Sequence, residues 1–335
     1  MKARRAALRL LVAAVLIAPA FLMSGYRLFQ LTSMAVYAVA ILGLDIVTGY
    51  TGQVSLGHGA FYAIGAYTGA ILMTEFGWPY WATLPAGGAV AAVVGYAVGF
   101  PALRLSGPYL ALVTYALAVA VPQILRAKAL DSWTGGAQGI VVTAPDPPAF
   151  LPLSQDAFLY LFTLAVAALL FLLARNMLRR RQLRAMIAVR DHPLAAEAAG
   201  IDIARVKTRA FAVSAGITGV AGALGAIVVQ FVAPDSFAAT LSIALFVGLV
   251  VGGSASLPGA VAGAAFVQFV PNVAEMVNKS APGVIYGVLL VAALYVMPSG
   301  VAGALRRALP GRLRTPTSPA KATPLHNKGA TIHVD

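Results

Sequence analysis

Charge is missing from long stretches of this chain, and its absence fixes the class of fold. Residues 10–26, 28–44, 46–74, 76–103, 105–125, 157–174, 210–234, 236–274 and 280–305 contain no Asp, Glu, Lys or Arg. A helix needs ~20 apolar residues to cross ~30 Å of hydrocarbon. Several of these runs fit one crossing, and 236–274 fits two short ones. The whole chain is 60% hydrophobic and 10% charged, with a mean hydropathy of +0.84, whereas soluble domains carry about 25% charged residues. Glycine and alanine fill the runs, and no segment alternates in polarity as a membrane barrel strand must. The expectation is an all-α, polytopic helical membrane protein with about 8–10 transmembrane helices.

The net charge of +13 does not point to nucleic acid. Basic residues sit in short strips between apolar runs, which is how membrane proteins mark their inner side. With Lys2, Arg4 and Arg5 inside, spans are expected at about 8–24, 30–47, 60–75, 82–100, 108–126 and 157–174. The first of these resembles a leader peptide with a weak cleavage site at Ala18-Pro19-Ala20, but keeping it preserves the parity. Six crossings bring residues 175–209 back to the N-terminal side. That strip holds nine of the 24 basic residues. The tail carries Arg306, Arg307, Arg312, Arg314, Lys321 and Lys328, so it also belongs inside. Spans at about 210–232, 240–253, 260–273 and 283–298 satisfy this, and a re-entrant pair over 240–273 satisfies it equally. Residues 1–306 thus form one membrane domain, and 307–335 a disordered tail on the inner side.

Within the strip, Pro193 suits the first turn of a helix, with Asp191 or His192 as its cap, and Gly200 suits the position just past its end. Asp202 can cap a second helix running through Arg205, Lys207 and Arg209 into the next span. A short helix with an alanine face at the membrane surface fits a groove on another protein. A loop whose arginines meet lipid headgroups accounts for the same spacing equally well.

The residues then carry a resemblance. Glu197-Ala198-Ala199-Gly200 resembles the "EAA" coupling motif of permeases from ATP-binding-cassette (ABC) importers. The longer stretch from Ala188 to Ile201 is similar to that of the LivM-type permease family for branched-chain amino acids. Gly49-Tyr50-Thr51-Gly52-Gln53-Val54-Ser55-Leu56-Gly57-His58-Gly59-Ala60-Phe61, Thr134–Ile140 and the small residues of 210–225 agree with it. Residues 252–260 depart from the family pattern in reading Pro258-Gly259. The resemblance implies ABC-importer permease architecture in a bacterial inner (plasma) membrane, with both termini cytoplasmic. It implies a heterodimer with a second homologous permease, two cytoplasmic ATPase subunits that bind ATP and Mg, and a soluble substrate-binding protein. The implied cargo is a branched-chain, hydrophobic amino acid, the alternative being urea, a short amide or another small amino acid. Arg190, Asp191, Pro193, Ala196, Glu197, Ala198, Ala199 and Gly200 would then couple to the ATPases.

No cofactor, metal site or catalytic residue is expected in this chain. No lysine follows a glycine, so the core of a phosphate-binding loop is missing, and there is no cysteine. Gly49, Gly52, Gly57 and Gly59 disfavour a regular helix, and irregular backbone at membrane depth must be buried or face a water-filled cavity. Thr51, Gly52, Gln53, Ser55, Gly57 and His58 are therefore expected on the translocation pathway or its gate, with a tight packed turn as the other reading. Gln123, beside Pro122, is a further pathway candidate. Asp45 and Glu275 are expected in structural or interfacial roles. Ser55 and His58 also raise an intramembrane serine hydrolase, which lacks a G-x-S-x-G, and a passive channel, for which a docking helix is superfluous.

Overall fold

The computed structural model describes residues 14–23, 25–102, 107–148, 152–179, 181–277, 287–288, 290–292, 295–297 and 299–308. Half of the expected span at 283–298, the start of the one at 8–24 and the tail from 309 lie outside the described residues.

The architecture is all-α and polytopic, with seven helical stretches among the described residues long and apolar enough to cross a membrane. Helix α1 (Tyr26–Asp45) widens into a π-turn (Ile46–Tyr50), and an irregular segment leads to α2 (His58–Thr74). Helices α3 (Tyr80–Ala102) and α4 (Pro108–Leu125) follow, then α5 (Gln155–Met177), started by Ser154, whose hydroxyl accepts from Ala157 N–H. Two helices occupy the basic strip: α6 (Arg181–Asp191) and α7 (Pro193–Ala198). The long α8 (Ile203–Val229) comes next, then α9 (Ala239–Gly252), α10 (Leu257–Val277) and α11 (Gly300–Ala308). The expected pair over 240–273 is therefore two separate helices, each reaching spanning length once the 3-10 turn Pro234–Phe237 is added to α9.

Lipid tails are as apolar as leucine, so membrane helices associate by close packing rather than by the hydrophobic effect. The glycines at three- and four-residue spacing do this work around α8. A Cβ on Gly65 of α2 would lie 2.0 Å from the Gly219 carbonyl oxygen, and one on Gly95 of α3 would lie 2.4 Å from Ala215 Cβ. Helix α8 is thus clamped between α2 and the antiparallel α3, with α1 on a further side. Phe61 and Phe211 meet edge-on at 5.7 Å in its fully buried flank.

Ile140–Val141 (β1) pairs antiparallel with Phe231–Val232 (β2), tying the segment after α4 to the C-terminal end of α8. Gly135, Gly136 and Gly139 have positive φ there, which explains the glycines of the Thr134–Ile140 stretch. Arg126 and Asp235 form an ion pair between α4 and the turn before α9. Phe76 stacks on Trp133 at 5.8 Å, as an interfacial aromatic cluster should.

Candidate functional site

Two places carry polar chemistry in an otherwise apolar body: the break between α1 and α2, and the short helices α6 and α7 of the basic strip.

The break begins with Asp45, fully buried at the last turn of α1. Its Oδ1 accepts from Ala255 N–H at 2.7 Å and its Oδ2 from Ser256 N–H at 3.0 Å. A buried carboxylate needs hydrogen-bond partners, and here they include the backbone leading into α10. Gly49 must lack a side chain because its Cβ would sit 2.0 Å from Asp45 Oδ1 and 2.5 Å from Ala255 N. The expectation of a structural role for Asp45 fits this geometry. Glu275 lies exposed near the end of α10.

Residues 51–57 then climb from the inner end of α8 toward its middle. Thr51, Gln53, Ser55, Gly57 and His58 are all buried, while Gly52 and Val54 are exposed and Leu56 half-buried. The alternation is that of an extended strand with its polar face turned into the protein. Thr51 donates to the Val47 carbonyl at 2.6 Å. Gln53 Nε2 donates to Thr51 Oγ1 at 2.9 Å and reaches the Lys207 carbonyl at 3.5 Å. Leu56 N–H donates to Thr114 Oγ1 of α4 at 3.0 Å. Gly57 is held to that same threonine, whose carbonyl oxygen would be 2.8 Å from a Cβ.

His58 closes a proton-ordered chain. Ser214 donates to the Gly43 carbonyl at 2.6 Å. A hydroxyl has one proton, so His58 Nε2, 2.7 Å from Ser214 Oγ, is the donor to it. Nδ1 then accepts from the Ser55 hydroxyl at 3.0 Å. Every link is satisfied in the Nε2–H tautomer. The arrangement knots α1, the break and α8 together roughly 16 Å along α8 from its inner end. It offers poor hydrolase geometry: Ser55 and His58 are sealed, at 0% and 1% exposure, and the second ring nitrogen meets a serine rather than a carboxylate.

A second break, 253–256, repeats the first. Gly52-x-x-Ser55-Leu56 and Gly253-x-x-Ser256-Leu257 share a pattern, both first glycines have positive φ, and a helix begins at or just after each leucine. Asp45 joins the two breaks. Sequence reading missed this junction, although the shared pattern was visible in it.

Within the basic strip, α7 has His192 at its N-cap without a side-chain bond, and Pro193 at its first position. It ends at Gly200, φ +79°, with Ile201 N–H returning to the Ala196 carbonyl at 3.0 Å, a glycine-terminated helix stop. Asp202 caps α8 as expected, its carboxylate accepting from Arg205 N–H at 2.9 Å. Asp191, Pro193, Glu197, Ala198, Ala199 and Gly200 are exposed, and Ala196 is buried. Leu194, not among the expected residues, is 83% exposed and is the one large apolar side chain on α7. A bulky apolar residue beside alanines on a surface helix was the available signal.

Arg190 turns the other way. It is half-buried and its Nη1 donates to the Gly49 carbonyl at 2.8 Å, while Nε pairs with Asp191 at 2.8 Å. Gln123, in contrast, lies exposed on α4. Among the described residues no cluster of His, Asp and Glu is placed to hold a metal.

Comparison with known proteins gives the family. Residues 26–294 match the family model "Branched-chain amino acid transport system / permease component". The chain is 36% identical over 251 residues to the high-affinity branched-chain amino acid transport system permease protein LivM of Escherichia coli, and 35% identical to that of Salmonella typhimurium. Each match covers 67% of this chain and 58% of the relative. No solved structure matches the chain. With two intramembrane breaks, a capped surface helix and a family match over most of its length, the chain belongs to the family of branched-chain amino acid transport permease components.

Proposed function

We propose that this chain is the transmembrane permease subunit of an ABC importer for branched-chain, hydrophobic amino acids. It would work in a bacterial inner membrane with both termini in the cytoplasm, beside a second homologous permease. Two ATPase subunits would bind ATP and Mg, and a soluble binding protein would deliver the cargo. Residues 1–306 form the permease and 307–335 a cytoplasmic tail.

The observation that carries this reading is α7: a proline-started, glycine-stopped helix that exposes Leu194 and Glu197 on the side where the basic residues gather. A side chain 83% exposed on a rigid short helix suits a groove on a partner. The pathway runs beside residues 51–58 and on toward Gln123. Gly52 and Val54 present the open face, while Thr51, Gln53, Ser55, Gly57 and His58 hold the segment's shape from behind. ATP binding closes the ATPases, α7 moves with them, and the spans alternate their access.

Proteoliposomes carrying the four membrane-associated subunits and the binding protein test it. ATP-dependent uptake of leucine, competed by isoleucine and valine, is the expected result. Uptake of urea or a short amide with no response to leucine would refute the assigned cargo. Unchanged uptake in Glu197→Ala and Gly200→Ala variants that reach the membrane would refute the coupling.

A further inference from the structure

We propose that Arg190 is the tie that carries movement of the inner-side helices into the two intramembrane breaks. The inference rests on the proposed function but concerns a different contact. The reading from sequence put Arg190 on the partner-facing surface with α7. Its guanidinium instead reaches inward to the carbonyl of Gly49, inside the π-turn.

Three observations converge on that turn. The first is the bond itself, a charge-assisted one, with Asp191 fixing the guanidinium from outside at 2.8 Å. The second is steric. The Arg190 stem lies over Gly52, where a Cβ would be 2.7 Å from Arg190 Cγ. Gly52 has φ +72°, so bulk and backbone strain both forbid a side chain there. The third is a separate apolar cluster. Ile46 and Tyr50 of the π-turn pack with Met186 of α6 and Ala210 of α8, and Ala255 and Leu257 of the second break lie against them. Helix α6 is amphipathic, burying Met186 and Val189.

The turn gripped by Arg190 is the one that begins at Asp45. Asp45 holds Ala255 and Ser256 by their N–H groups. A displacement of α6 therefore reaches the first break through the Gly49 carbonyl and the second through Asp45. A π-turn bonds in a wider, i→i+5 register than an α-turn and occurs frequently at functional sites. An external donor on its carbonyl can favour one register over another. Arg190 is a positioning residue: it acts through the Gly49 carbonyl on the breaks.

The test uses the assembled transporter in proteoliposomes with its binding protein and leucine. Arg190→Met keeps the stem over Gly52 and removes the donor, and Arg190→Lys keeps a donor. Loss of a hydrogen bond from a charged group corresponds to about tenfold. Arg190→Met should therefore raise the ATP hydrolysed per leucine transported by about that factor, with the ATPases co-purifying at the normal ratio. Arg190→Lys should recover most of the coupling. An unchanged ATP-to-leucine ratio in Arg190→Met overturns the proposal, as does a transport loss matched by loss of bound ATPase. If Arg190→Met does not accumulate, Asp191→Asn decides, since it loosens the guanidinium from an exposed position. A raised ratio in that variant supports the tie, and an unchanged ratio overturns it. Leu194→Asp separates the two proposals. It should strip the ATPases if α7 is their docking helix. ATPases that stay bound and active with Leu194→Asp refute the docking reading and leave the Arg190 result to stand on its own ratio.

Discussion

Asp45 and Ala255 lie far apart in sequence, yet the fully buried carboxylate of the first accepts the N–H of the second at 2.7 Å. One side chain thereby staples the end of α1 to the entry of α10. An ionised group at mid-bilayer costs at least ~2.5–3.5 kcal/mol on insertion scales. Near a helix end, with backbone donors arranged around it, that cost falls.

Asp45→Asn tests the staple. It keeps the shape but turns one acceptor into a donor that faces a backbone N–H. An unsatisfied buried group costs ~1–3 kcal/mol, so the purified protein should melt at a clearly lower temperature. Asp45→Ala should be worse. A melting temperature equal to that of the parent in both variants would show that the staple contributes nothing.

The Ser55–His58–Ser214 chain predicts non-additivity. Ser214→Ala leaves the His58 N–H without its acceptor and His58→Ala leaves the Ser55 hydroxyl without its own, so each should lower stability by ~1–3 kcal/mol. The double variant should cost less than the two together, by ~0.5–3 kcal/mol as for residues in one network. Strict additivity in thermal melts would mean that the 2.7 Å contact is energetically idle.

Gly65→Val should abolish accumulation in the membrane, because its Cβ would need the space of the Gly219 carbonyl, 2.0 Å away. Overpacking of an ordinary core costs ~1–3 kcal/mol, and backbone cannot move aside as a side chain can. Gly287→Ala, with nothing within 4 Å of the new Cβ, should accumulate normally. Immunoblots of membranes compare the two, and equal levels would contradict the close α2–α8 packing.

Orientation is open to direct labelling, since the chain has no cysteine. Leu194→Cys, on an 83% exposed position, should react with an impermeant maleimide only in inside-out vesicles. Trp133→Cys, 49% exposed in the opposite loop, should react only in intact spheroplasts. The reverse pattern would invert the topology.

How much of this was legible beforehand follows from what hydropathy encodes. Charge-free runs report lipid contact directly, so the spans and the interruption at Gly49–Gly59 could be read off. The helix Arg181–Asp191 was not, because its charges mask an apolar face of Leu183, Met186 and Val189 that recurs every three residues. The partners of Asp45 and Arg190 were invisible for a different reason. Both bind backbone groups, a carbonyl at Gly49 and N–H groups at 255 and 256, and backbone is the same at every residue. Only the fold decides which peptide comes within reach. The burial of Thr51, Gln53 and Ser55 has the same origin: alternation fixes that they share a face, but not which way that face looks.

Helix α8 is about 40 Å of continuous rod, hooked at its C-terminal end by the β1–β2 ribbon and begun at its N-terminal end by Asp202, two residues past Gly200. A stiff rod cannot yield at one extremity without tilting at the other. The ribbon at one end and α7 near the other are thus joined by a single lever, and the tight glycine contacts with α2 and α3 lie between them.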